Sequence, residues 1–338
     1  MDIEQRDFFQ WEIASKQFQT FNDVKPSFIT VNPAYLSALS RDDKYWNPLK
    51  NADVVFVRCV RPFSYWKHYE MASVVKSMMR PDAKMIFQDD MDFLWLYHQN
   101  HCYYEQTINK TPDELFRETK ILEIADAFNI EYNPLFEEAI KKAGKPVYHL
   151  LLPQLVRYKS FISTKSSFDD KGGRIVLLIH SVKSASINHV INNLPEFRYM
   201  IFMIDQPISL RKKVDIGFGR LQRDNFMEFL KRGYIAIDDN EGYYGWSRFA
   251  MECALVCIPC IGSTPAVQEF FPELYTKPKD YKKQRELAVK LFNDKKFWLE
   301  MATEGKRRVL ERMDTRTRIA ELVKIIKEVY RNENSTCN

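Results

Sequence analysis

Short apolar runs rich in Val and Ile recur along the chain. Between them lie stretches whose apolar positions repeat every three or four residues. Runs of the first kind suit buried strands and stretches of the second suit amphipathic helices. In the first half the pattern predicts strands over 27–31, 54–60, 84–88 and 147–152, with 125–130 as a further candidate. Helices are predicted over 65–79, 112–125 and 133–142, the last stopped by Gly144-Lys145-Pro146. Residues 157–173 are polar, rich in Ser and Lys, and end on two glycines, as a linker does. A second series follows, with strands over 174–179, 198–204 and 214–218, and helices over 186–194 and 224–231, the latter capped by Asp224. Next come a strand over 234–237, a helix over 247–255 and a strand over 258–261. From 278 onward the periodicity is helical, over 280–292, 296–313 and 315–331. Strand and helix alternate, which predicts the α/β class with parallel sheets in two domains, 1–160 and 173–310, and a helical C-terminal extension.

Composition narrows the class. The chain has 338 residues, of which 45% are hydrophobic and 28% charged, enough to bury two cores. The apolar runs are too short to span a bilayer. The first residues, MDIEQRDFFQWEIASK, lack the basic-then-apolar layout of a secretory signal. Six scattered cysteines suit reduced thiols, so the expected setting is cytoplasmic. A net charge of +5 is too mild to imply nucleic acid, and it leaves room for peripheral contact with an acidic membrane face. None of the 10 glycines builds a G-x-G-x-x-G or G-x-x-x-x-G-K-[ST] loop, which argues against dinucleotide-fold and P-loop chemistry.

The richest segment is 233–271. It reads as strand, loop, helix, strand, with an acidic, glycine-dotted loop over 238–246 at the carboxyl end of the first strand. Ligands bind at that edge in open α/β sheets. Ser247 stands where an N-cap belongs, and Arg248 and Glu252 fall one turn apart on one helix face. A helix N-terminus beside an arginine suits a phosphate. A carboxylate one turn on suits a sugar hydroxyl. Together they read as a nucleotide-sugar site.

Several passages resemble the GT-B glycosyltransferases, in particular the retaining, family-4-like group. NADVVFVRCVR (51–61) and KMIFQDDMDFLW (84–95) look like the first-domain pattern, in which an arginine-bearing strand end precedes a DD turn. IADAFNIEYNPLFEEAIKKAGKPVYHLL (124–151) looks like the passage that ends in Pro-Asn, where this chain has Pro153-Gln154. Glu241-Gly242 and Glu252-Cys253-Ala254 resemble the two ends of the E-G-F-G…E-A donor motif. The family's E-x7-E spacing would put its first acid at Tyr244. Here Glu241 lies eleven residues before Glu252, so the loop is three residues longer. The resemblance implies two Rossmann-like domains facing a cleft, an acceptor domain over 1–160 and a donor domain over 173–310. It also implies that helix 311–331 packs back on the first domain.

The function this implies is transfer of a sugar from a nucleotide-diphosphate sugar to an acceptor hydroxyl, by a metal-independent, retaining route and with no cofactor beyond that co-substrate. Partners are the nucleotide-sugar donor and a carbohydrate, lipid-linked or other hydroxyl acceptor. Charge developing on the diphosphate is met by helix dipoles and cations. Candidate catalytic residues are Glu241, Arg248, Lys183 and Asp90. Candidate donor-binding residues are Glu252, Ser247, Ser184, Tyr244, Gly245 and His180, and no metal ligands are expected. Asp90-Met91-Asp92 matches a metal-binding D-x-D by chance frequency, and Cys253, Cys257 and Cys260 read as small core residues. Two other readings share the scaffold: a protein that modifies or binds nucleic acid, and a catalytically inactive sugar-binding homologue.

Overall fold

A computed structural model describes residues 46–58, 65–89, 117, 120–130, 134–150, 162, 175–179, 198–202, 216–218, 223–238 and 247–331. The chain divides into two compact units. Unit 1 comprises 1–153 and 315–338, and unit 2 comprises 154–314.

In unit 1, the described strands are β1 (Val54–Arg58), β2 (Lys84–Asp89), β3 (Ala127–Ile130) and β4 (Val147–Tyr148). They form a parallel sheet in that order. Short helix α1 (Asn47–Lys50) precedes β1. Helices α2 (Tyr65–Met78), α3 (Ile121–Ile124) and α4 (Pro134–Lys142) lie between the strands. The expected helix over 112–125 is broken at Lys120, whose φ of 55° is left-handed, so helix restarts at Ile121. Helix α4 ends where expected. Gly144 takes φ 72°, its N–H donates to Lys141 O, and Lys145 N–H donates to Ile140 O, a Schellman closure that glycine permits. The strand expected over 27–31 and the helix expected over 186–194 lie outside the described residues.

Side chains set the register of this sheet. At the amino edge Asp126 Oδ2 accepts from Met85 N–H at 2.7 Å and from Lys76 Nζ at 3.2 Å. At the carboxyl edge Asn129 acts as an extra ladder rung. Its Nδ2 donates to Leu150 O at 2.8 Å and its Oδ1 accepts from Leu150 N–H at 2.7 Å. The last helix, α10 (Thr315–Arg331), supplies the remaining cover: Ile319, Leu322 and Val323 pack with Leu150, and Val329 packs with Ile86 and Ala127. Its apolar positions at 319, 322, 323 and 326 explain both the helix and its buried stripe.

In unit 2 the described strands are β5 (Ile175–Ile179), β6 (Arg198–Phe202), β7 (Ile216–Phe218), β8 (Ile235–Asp238) and β9 (Cys260–Gly262). The parallel sheet runs β7-β6-β5-β8-β9. Helices α5 (Arg223–Leu230), α6 (Arg248–Leu255), α7 (Pro265–Phe270), α8 (Tyr281–Asn293) and α9 (Lys295–Arg312) accompany it. Asp224, expected as a cap, lies inside the first turn of α5, because the helix already starts at Arg223. Asp280 and Asp294 cap α8 and α9 by accepting from Lys283 N–H and Phe297 N–H. The core is tied at the start of β8. The Tyr234 ring stacks on Trp298 at 5.5 Å, Trp298 Nε1 donates to Tyr234 O at 2.8 Å, and Tyr234 Oη donates to Leu291 O. Both polar ends of these buried rings are thereby satisfied.

Candidate functional site

The strand order of unit 2 places its reversal between β5 and β8. From β5 the chain builds outward through β6 and β7, then returns to add β8 and β9 on the other side. Neighbouring loops diverge at such a point, and the carboxyl ends of the two strands open a crevice for ligands. Here those ends are Ile179 and Asp238.

Helix α6 begins beside this edge in sequence. Ser247 caps it, with φ −74° and ψ 120°, and its Oγ accepts from Phe249 N–H at 3.3 Å. Every residue of α6 except Arg248 and Glu252 is buried. Arg248 is exposed and Glu252 half-buried, four positions apart. An otherwise buried helix thus presents one cation at its amino end and one carboxylate a turn later. First-turn N–H groups have no partners inside their own helix, so a guanidinium beside them makes a site suited to an anion. The helix closes on Val256 and Cys257, the latter at φ 58°, with Cys257 N–H donating to Ala254 O and Ile258 N–H to Cys253 O. That turn feeds β9 directly.

The candidates fall into two groups. Ser247, Arg248 and Glu252 share one helix end. His180, Lys183, Ser184, Glu241, Tyr244, Gly245 and Asp90 lie outside the described residues. In sequence, His180 directly follows β5 and Asp90 directly follows β2. Cys253, Cys257 and Cys260 are buried thiols. Burial pushes Cys260 well above the ordinary thiol range, and neighbouring Cys253 and Asp238 add to that, as for a small core residue. Among the described residues no group of three His, Cys, Asp or Glu could hold a metal ion. No helix among them is long and apolar enough to cross a membrane.

The sequence reading missed Asp238 and Thr264. Asp238 was expected to open the acidic loop over 238–246. Instead it ends β8, is 3% exposed, and its Oδ2 accepts from Thr264 Oγ1 at 3.0 Å. Pairing with Gly262 on β9 draws it into the strand. Thr264 and Pro265 form a cap-and-proline start for α7, a local signal that could have located that short helix. At the carboxyl edge of unit 1, His149 is another polar group near strand ends. Its Nδ1 donates to Ile130 O at 3.1 Å, and its Nε2 lies 3.3 Å from Glu137 Oε2.

No family model matches the chain, and no curated protein matches it in sequence. Solved structures do match. HepE of Anabaena in complex with UDP-glucose aligns over 93% of this chain and 88% of its own, with 11% identity and TM-score 0.58. Sucrose-phosphate synthase of Thermosynechococcus elongatus aligns over 82% and 74%, with 12% identity and TM-score 0.56. An α-glucosyltransferase in complex with UDP and a mismatched 13-mer DNA aligns over 84% and 81%, with 11% identity and TM-score 0.52. Agreement across most of each chain, with almost no sequence in common, is agreement of architecture. The chain has the fold of the GT-B glycosyltransferases.

Proposed function

We propose that the protein is a glycosyltransferase that binds a nucleotide-diphosphate sugar at the carboxyl edge of unit 2. One observation carries this reading: buried helix α6 leaves only Arg248 and Glu252 unburied, and it follows β8 at the sheet's reversal point. Arg248 and the α6 dipole would hold the diphosphate and stabilise the charge that grows on it as the glycosidic bond breaks. Glu252 would accept hydrogen bonds from the ribose hydroxyls. Solved neighbours of the same fold hold UDP or UDP-glucose, which supports a donor of this class.

The finer reading is a metal-independent reaction that retains anomeric configuration, with unit 1 taking the acceptor. It rests on the cationic and dipolar groups above and on the resemblance of Glu241-Gly242 and Glu252-Cys253-Ala254 to the two ends of the family-4-like donor motif, here with a loop three residues longer between them. The DNA bound to one neighbour supports a second reading, in which the acceptor is nucleic acid. Salt-dependent duplex binding would separate the two.

A thermal-shift screen of nucleoside diphosphates and their sugars tests the proposal. One nucleotide should raise the unfolding midpoint, through a stabilisation of about 2.7 kcal/mol at a hundredfold excess over Kd. Arg248→Ala and Glu252→Ala should each remove most of that rise. A wild-type protein indifferent to every nucleotide would refute the proposal. Binding without sugar transfer to any acceptor would mark an inactive sugar-binding homologue.

A further inference from the structure

We infer that Asp238 is a positioning residue for the donor edge, acting through its buried bond to Thr264. The inference rests on the donor reading above. Asp238 closes β8 beside the sheet's reversal point, and the segment 239–246 that leads to Ser247 and α6 starts from it. Three contacts fix where that segment begins. Asp238 stands in register with Gly262 of β9. Its carbonyl accepts from Ser263 N–H at 3.2 Å. Its carboxylate accepts from Thr264 Oγ1 at 3.0 Å, and the same hydroxyl accepts from Val267 N–H in the first turn of α7. Strand exit, neighbouring strand and following helix therefore meet at one residue, the last of them through its carboxylate.

A buried carboxylate is costly unless its bonds are made, so its presence at this edge calls for an account. Packing alone does not need it, since an apolar residue would fill the position without desolvating a charge. A hydrogen bond from a hydroxyl constrains direction as well as distance, and apolar packing does not. Thr264 is 0% exposed and cannot touch a ligand. Any effect of Thr264 on ligand binding must therefore pass through the groups it holds.

Titration of the full-length protein with UDP, GDP and ADP tests this, with unfolding midpoints measured alongside. Asp238→Ala and Thr264→Val should weaken nucleotide binding about tenfold, the size of effect that loss of one hydrogen bond carries. Asp238→Asn and Thr264→Ser keep an acceptor and a donor, and should stay within about threefold of wild type. Loss of stability in Asp238→Ala and Thr264→Val with unchanged affinity would overturn the inference and leave a purely structural bond. An Asp238→Asn variant as weak as Asp238→Ala would also overturn it, since the charge and not the bond would then matter. Failure of the wild type to bind any of the three nucleotides would overturn the donor reading as well.

Discussion

Replacing Gly262 with alanine puts a methyl group into space that β8 already occupies. An ideal Cβ there would sit 2.0 Å from Asp238 O, 2.7 Å from its carbonyl carbon and 3.2 Å from its Cα. All three atoms are backbone, so no side chain can rotate away. Carbon contacts settle near 3.5 Å, so β8 and β9 would have to part by roughly 1 Å or more. The carbonyl that is struck accepts from Ser263 N–H at 3.2 Å, and a further 1 Å ends that bond. Forced repacking costs about 1–3 kcal/mol, and a buried donor left unmade costs about 1–3 kcal/mol more. The expected loss is therefore about 4 kcal/mol, a large part of a typical domain's stability. Urea unfolding followed by circular dichroism and fluorescence measures it. Gly144→Ala is the control: its φ is 72° but nothing lies within 4 Å of the added carbon, so only the left-handed backbone term of about 1 kcal/mol applies. Gly262→Ala within about 0.5 kcal/mol of wild type, or milder than Gly144→Ala, would refute the reasoning.

Three further outcomes are expected. Ser247→Ala should cost about 1 kcal/mol and Ser247→Asp much less, since aspartate also caps; urea midpoints of the two variants check this. Asn129→Leu leaves both backbone groups of Leu150 without their side-chain partner, and should cost about 3 kcal/mol by the same titration. Hydrogen bonding to Arg307, with Arg308 alongside, holds the Glu304 carboxyl down at about 2. A depressed carboxyl stabilises the fold above its ordinary value of 4.5 and loses that contribution as pH falls toward about 2. Stability measured against pH should thus fall over that window in the wild type and be flatter in Glu304→Gln, with a small amplitude because the pair is partly solvated.

What the sequence showed and what it hid divide along contact range. The strands at 54–58 and 235–237 were legible because strands of a parallel sheet read as unbroken apolar runs. The cap at Ser247 was legible because a cap is a bond between residues two or three apart. The placement of Arg248 and Glu252 one turn apart on α6 followed from helical periodicity. Asp238 was hidden because its partner Thr264 lies 26 positions on, and Asp-Asp-Asn-Glu looks solvated without that partner. Asn129 was hidden for the same reason, since its partner Leu150 comes from the far side of a helix. The break at Lys120 defied the local pattern, which favours helix on both sides of it.

The account stands on a diphosphate seated at the amino end of α6. A crystal structure of the protein with the nucleotide sugar giving the largest thermal shift is the most direct test. The account predicts diphosphate oxygens within hydrogen-bond distance of the Arg248 guanidinium and the first-turn N–H groups, and ribose hydroxyls on the Glu252 carboxylate. A nucleotide bound elsewhere, with Arg248 and Glu252 both clear of it, would contradict it.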